Sequence, residues 1–239
     1  MGKVAARVQQ AARDRGAQQL ALPFSEVRRR GGARRGAGRP QFPAHLRHTP
    51  HRARPKHRAA HPVHVTLRAV VRSLRCQQVV NAVLGALRES QKEGFRVVHY
   101  SVQDNHLHLI VESANKASLS SGVRGLMVRL ARRVNRLLFR RGRFWADRWH
   151  GRALTSPQVR NALVYVLQNH RKHGSAVSGL DPLSSAQWFN GFFEPIPRSF
   201  RSTGPPSVLA PSSWLLRIGW RRRGLIRCHE APRSGVGPA

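Results

Sequence analysis

Acidic residues are scarce in this chain: ten Asp and Glu stand against 43 Lys and Arg in 239 residues, a formal net charge of +33. A domain folding on its own gains nothing from such an excess, because like charges repel. The imbalance implies a polyanionic partner, of which nucleic acid is the commonest. Cysteine is nearly absent. Cys76 and Cys228 have no metal-ligand spacing and read as free thiols in a reducing cytosol. No run approaches the roughly 20 consecutive apolar residues that span a bilayer. The opening MGKVAARVQQAARDRG lacks the apolar centre of a secretory signal. No membrane partner is therefore expected, and the expected location is cytoplasmic and nucleoid-associated. There is no internal repeat. Tyrosine occurs twice, at positions 100 and 165, so chemistry resting on a phenol has two candidates.

Three regions differ in composition. Residues 1–60 carry 15 Lys and Arg and two acids, and their run RRRGGARRGAGRP has no apolar pattern to pack. They read as a basic, mostly disordered nucleic-acid-binding tail. Residues 61–175 hold the periodic apolar pattern, and residues 176–239 form a Pro/Ser/Arg-rich extension. That extension reads as mostly irregular, with a short helix or strand around 213–220.

The middle region alternates strands and helices. In residues 61–70, Val63, Val65 and Leu67 point one way and His64, Thr66 and Arg68 the other, which is the period of a half-buried strand. A helix over 76–92 is stopped by Gly94. Strands at 95–102 and 106–112 flank an Asp104-Asn105 turn. An amphipathic helix over 118–140 carries an apolar stripe of Leu126, Leu130, Val134, Leu137 and Leu138. A fourth strand spans 145–154. A last helix runs from 156 to 173, with Ser156 as N-cap and Pro157 at its first helical position. The order β-α-β-β-α-β-α predicts an α+β fold: a ferredoxin-like split βαβ antiparallel sheet plus an extra C-terminal helix, flanked by largely disordered basic tails. One sheet face is expected under helices and the other open.

His106 and His108 lie two apart on a strand and share one face, while Leu107, Leu109 and Val111 take the core face. Two imidazoles on a rigid platform can hold one metal ion, although two surface histidines would give the same pattern. On the last helix, Asn161, Tyr165, Gln168, Asn169 and Lys172 fall on one polar stripe. Tyr100 is better explained by sheet packing. A phosphodiester is a poor electrophile and a phenol of pKa ~10 a poor nucleophile. A divalent ion, Mg²⁺ or Mn²⁺, on His106, His108 and the Asn169 oxygen would polarise the phosphate and align it with the Tyr165 hydroxyl. Imidazole ligands favour Mn²⁺.

The blocks HPVHVTLR, NHLHLIVE, FWADRWHGRAL and ALVYVLQNHRKHG resemble, in order and spacing, the IS200-type single-tyrosine transposases. The resemblance is closest to their REP-associated branch among the HUH endonucleases, and it spans about residues 60–175. It implies that His106 and His108 bind metal, that Tyr165 is the nucleophile and that Asn169 completes the metal shell. It also implies cleavage and rejoining of single-stranded or hairpin DNA through a 5′-phosphotyrosine. Many relatives place a proline after that amide, where this chain has His170. Relatives of the two branches leave both a homodimer and a monomer open.

The segment GARRGAGRP, with Arg34, Arg35 and Arg39, resembles an AT-hook, but reads first as a solvated tail attracting phosphate. Arg124, Arg129, Arg132, Arg133 and Arg136 on the long helix, and Lys172, read as phosphate contacts. Phe144, Trp145 and Trp149 are candidates for stacking on unpaired bases, with core packing expected for at least one. Two other readings remain. A ferredoxin-like domain can hold single-stranded nucleic acid without cutting it, as a binding protein or an inactive or domesticated transposase. A hydrolytic metallonuclease would use water, but no carboxylate cluster accompanies the histidines.

Overall fold

The computed structural model describes residues 57–173 and 179–232, all within the unit His48–Ala239. Arg34, Arg35 and Arg39 lie outside the described residues. Among these residues, strands β1 (Val63–Arg68), β2 (Phe95–Val102), β3 (His106–Ser113) and β4 (His150–Ala153) form one antiparallel sheet in the order β2-β3-β1-β4. With helices α1 (Gln77–Glu89) and α2 (Lys116–Leu137) between the strands, this is the expected ferredoxin-like arrangement, followed by helix α3 (Ser156–Leu167).

The alternation of β1 divides the molecule. Val63, Val65 and Leu67 join Leu107, Leu109 and Val111 of β3 in a first core, closed by Val79, Val83 and Leu87 of α1 and Leu126, Leu130 and Val134 of α2. Gly122 lets α2 lie directly on Phe95, since a Cβ there would stand 2.2 Å from the ring. Gly94, at φ +71°, turns the chain from α1 into β2. On β2 a bulge at Val97/His99 sends the extra residue, Val98, to the other face of the sheet.

That other face is not open. It carries a second core in which Val98 and Ile110 meet Val159, Leu163 and Val166 of α3 and the C-terminal extension. The extension, expected as an irregular and largely disordered tail, is ordered over 179–232. It contains a short helix α4 (Trp214–Arg217) and 3₁₀ turns at Ser185–Trp188, Arg198–Phe200 and Gly219–Arg223. Phe189, Phe192, Leu216, Trp220 and Ile226 bury into the second core. Leu216 and Trp220 fall in the short helical stretch expected around 213–220, but the buried residues come in pairs too short and too far apart to show a sustained period, which is why the sequence pattern conceals the second core.

Buried polar contacts fix the extension. Asp181, inaccessible to solvent, takes two 2.9 Å hydrogen bonds from the Arg75 guanidinium. The Glu112 carboxylate accepts the backbone N–H groups of Ser212 and Ser213, each at 2.8 Å, and the Ser212 hydroxyl at 2.7 Å. Arg160 of α3 pairs with Glu230.

Several element boundaries differ from the expectation: α1 ends at Glu89 rather than at 92, and α2 spans Lys116–Leu137 rather than 118–140, so Phe139 and Arg140 lie beyond its end. Thr155, not Ser156, is the N-cap of α3: Gln158 Oε1 accepts the Thr155 N–H at 3.0 Å, and Pro157 falls in the first turn. α3 ends at Leu167 and a 3₁₀ turn, Asn169–His173, follows. Gln168 leaves helical geometry at φ −126°, its amide donating to Arg227 O at 2.8 Å and accepting from Arg171 Nε at 3.1 Å. β4 is shorter than 145–154 because Trp149 turns into the first core and Trp145 packs against it. No helix among the described residues is long and apolar enough to cross a membrane.

Candidate active site

The pairing of β1, β3 and β4 lays out the site in rows across the sheet, because directly opposed residues share a face. Thr66 of β1 lies between His108 of β3 and His150 of β4, and His64 lies between Ile110 and Arg152. His106 faces Arg68. α3 crosses this face and brings Tyr165 down onto it. The Tyr165 ring stands edge-on to His108, centroids 4.9 Å apart, and to His64 at 5.5 Å. The rings of His106 and His108 are 4.7 Å apart. One chain thus brings both predicted metal-binding histidines and the predicted nucleophile together.

The hydrogen bonds select the nitrogens that can act as ligands. His106 Nδ1 donates to Asn105 Oδ1 at 2.8 Å, which puts the lone pair of that ring on Nε2. His108 Nδ1 lies 3.2 Å from both His64 Nε2 and Thr66 Oγ1. With the Nδ1 proton directed at that pair, the lone pair of His108 likewise lies on Nε2. A metal-bound histidine typically commits its other ring nitrogen in this way, and the partner fixes both tautomer and orientation. Burial, with a smaller contribution from Arg152, draws the His64 pKa down to about 4. That ring is therefore neutral at pH 7 and brings no charge against a cation.

Asn169 is solvent-inaccessible, and both polar atoms of its amide lack a hydrogen-bond partner among the described residues. A buried amide in that state costs free energy unless a further polar group completes it. Among the described residues no cluster of three or more His, Cys, Asp or Glu side chains is arranged to hold a metal. Two imidazoles and an amide oxygen, the donor set expected from the sequence, are of a chemistry that would suit a divalent ion with intermediate preferences.

The stripe read from the sequence is not a solvated face. Tyr165 is 4 % exposed, and Gln168 is committed to the extension rather than to the site. Burial pushes the Tyr165 phenol above its ordinary pKa, so it is protonated at neutral pH. His170, in the position where many relatives carry proline, is buried with its Nε2 3.0 Å from Gly179 O. The Lys172 side chain lies outside the described residues.

The arginines sit elsewhere. Arg129, Arg132, Arg133 and Arg136 line a groove of about 590 Å³ between α1 and α2, on the opposite side of the sheet from the histidines. Arg133 pairs there with Glu89. Arg124 is exposed on α2. The proposed stacking aromatics are used internally: Phe144 and Trp149 belong to the first core, and Trp145 donates its indole N–H to Met127 O at 2.9 Å.

Four neighbours of the site were missed from sequence: His64, Thr66, Asn105 and Arg152. Alternation already put His64 and Thr66 on the face away from the core, but only the pairing with β3 puts them beside His108. Asn105 reads as a turn residue, and nothing in its local pattern marks the contact with His106.

Residues 59–169 match a family model described as "Transposase IS200 like". Among solved structures, the chain is similar to one described as a REP-associated tyrosine transposase bound to a REP hairpin. The two are 17 % identical with a TM-score of 0.48, over 69 % of this chain and 93 % of that one. No curated protein matches the chain.

Proposed function

We propose, from the match of residues 59–169 to the IS200-like transposase family, that the chain cleaves and rejoins single-stranded or hairpin DNA with Tyr165 as nucleophile. The observation that carries this reading is the edge-on contact of the Tyr165 ring with His108, whose Nδ1 and that of His106 are both committed to protein partners. In the reaction the Tyr165 Oη bonds to phosphorus and the bond to the 3′ oxygen breaks. The phenol loses its proton and the departing 3′ oxygen gains one. The 5′-phosphotyrosine keeps the energy of the broken linkage, so reversal rejoins strands without a nucleotide cofactor.

A divalent ion, Mg²⁺ or Mn²⁺, held by His106 Nε2, His108 Nε2 and Asn169 Oδ1, would polarise the scissile phosphate and favour loss of the phenol proton that burial opposes. His64, Thr66 and Asn105 orient the two histidines. Arg152, in register with His64, supplies positive charge beside the phosphate. The α2 arginines face away from this site and are assigned to flanking DNA. Because one chain contributes the histidines and the tyrosine, the monomer is the favoured working unit.

The test is incubation with labelled stem-loop DNA from the sequence flanking the gene, with Mn²⁺ or with EDTA, for wild type and Tyr165→Phe. A covalent protein–DNA species in wild type with Mn²⁺, absent in the variant and in EDTA, is the expected result. Equal cutting by both proteins without a covalent species would point to a metal-bound water instead. Binding without cutting by either would favour the binding-protein reading.

A further inference from the structure

The C-terminal turn of α2 carries a feature that folding does not explain. Phe139 has φ +50°, and no other non-glycine residue among those described has a positive φ. Its N–H donates to Arg136 O at 3.2 Å and the Arg140 N–H to Asn135 O at 2.8 Å. This is the helix-ending motif whose left-handed position glycine normally fills. A bulky side chain there strains the backbone. Strain of this kind is repaid in a core residue by burial, yet the Phe139 side chain is 96 % exposed.

The surroundings identify a partner. Arg136, Arg140, Arg141 and Arg143 flank Phe139 in the sequence. The arginine groove of α2 runs up to this turn, lined at its near end by Arg136 and Leu137. From Arg129 to Arg136 a helix rises roughly 10 Å, long enough for its arginines to meet more than one phosphate of a DNA strand. A phosphate track therefore ends at an exposed aromatic ring, on a chain of net charge +33. We propose that Phe139 is a stacking finger for an unpaired nucleobase of DNA whose phosphates follow the arginine groove of α2. The finger stands on the opposite side of the sheet from Tyr165. It therefore holds DNA flanking the cleaved position, and in that sense it rests on the strand-transfer reading above.

The test separates binding from catalysis by working in EDTA. Fluorescence anisotropy measures the affinity of wild type, Phe139→Ala, Phe139→Gly and Phe139→Trp for an oligothymidylate of about 20 nucleotides and for a duplex of the same length. Base–aromatic stacking predicts that the alanine and glycine variants lose about 5- to 150-fold in affinity for the single strand. Their affinity for the duplex should change by less than about twofold, and Phe139→Trp should retain single-strand binding. Phe139→Gly should also melt at a higher temperature than wild type, so its binding loss cannot be a folding defect. In a salt titration, Arg132→Ala or Arg136→Ala should lower the log–log slope by about one each, and Phe139→Ala should leave it unchanged. Wild-type affinity for the single strand in the alanine and glycine variants would overturn the proposal. So would an equal loss on both DNAs, or no single-strand binding by wild type. Failure to form the Tyr165 adduct would instead overturn only the catalytic reading.

Discussion

His64→Phe removes the ring nitrogen 3.2 Å from His108 Nδ1 while leaving an aromatic ring of similar size in a buried position beside Tyr165. The deleted group is neutral at pH 7, so no charge is orphaned. Thr66 Oγ1 stands at the same 3.2 Å from His108 Nδ1, and one acceptor remains. Loss of the outer partner of a metal-binding histidine costs about 10- to 100-fold in metal affinity. With Thr66 in place, the single variant belongs at the lower end, about 10-fold. His64→Phe combined with Thr66→Val removes both acceptors and should approach about 100-fold, or about 2.8 kcal/mol. Titration calorimetry with Mn²⁺ reads this directly, with a thermal melt as control for folding. His108→Ala marks complete loss of the ligand. A double variant that binds Mn²⁺ as tightly as wild type, while His108→Ala does not, would refute the idea that these groups orient His108.

Three further outcomes follow from burial and packing. His99 sits against Ser185 Oγ at 3.1 Å, and burial draws its pKa from 6.5 to about 4. The unfolded chain takes up this proton first, so stability present above pH 6.5 is lost as pH falls toward 4, by about 2 kcal/mol at pH 5. His99→Leu should narrow the gap between melting temperatures at pH 7.5 and pH 5, and an unchanged gap contradicts the assignment. Arg75→Ala leaves the buried Asp181 carboxylate without its guanidinium and should cost roughly 3 kcal/mol in urea unfolding. A loss below about 1 kcal/mol would mean the pair behaves as an ordinary surface bridge. Gly122→Ala drives a methyl into Phe95 and should cost ~1–3 kcal/mol, with recovery on adding Phe95→Leu. A neutral Gly122→Ala would show that α2 can lift from the sheet freely.

Periodicity carried the sheet and the first core. The alternation of Val63, Val65 and Leu67 and the stripe of Leu126, Leu130 and Val134 each identify a buried face without reference to any other element. His106 and His108 were legible for the same reason, since a strand puts them on one side. What the sequence conceals is what arises between distant segments. The extension 179–232 buries its aromatic residues from short irregular stretches such as 188–193, and its contact with α3 turns an expected polar stripe into a buried layer. Asn169 was expected at the site from its spacing from Tyr165, but the helix behind that spacing ends two residues earlier, at Leu167. His64 required knowing that β1 lies beside β3. Phe139 gave no local sign, because a phenylalanine in a left-handed turn runs against the residue preference that sequence reading relies on.

The central claim is that a phosphate is passed to one particular phenol. Trypsin separates the two tyrosines of this chain: Tyr165 falls in residues 161–171 and Tyr100 in residues 97–116. After reaction of wild-type protein with stem-loop DNA and Mn²⁺, followed by nuclease and tryptic digestion, mass spectrometry should find the nucleotide-phosphate mass on the 161–171 peptide, at Tyr165. A nucleotide on the 97–116 peptide, or cleaved DNA with both tyrosine peptides unmodified, would contradict the account.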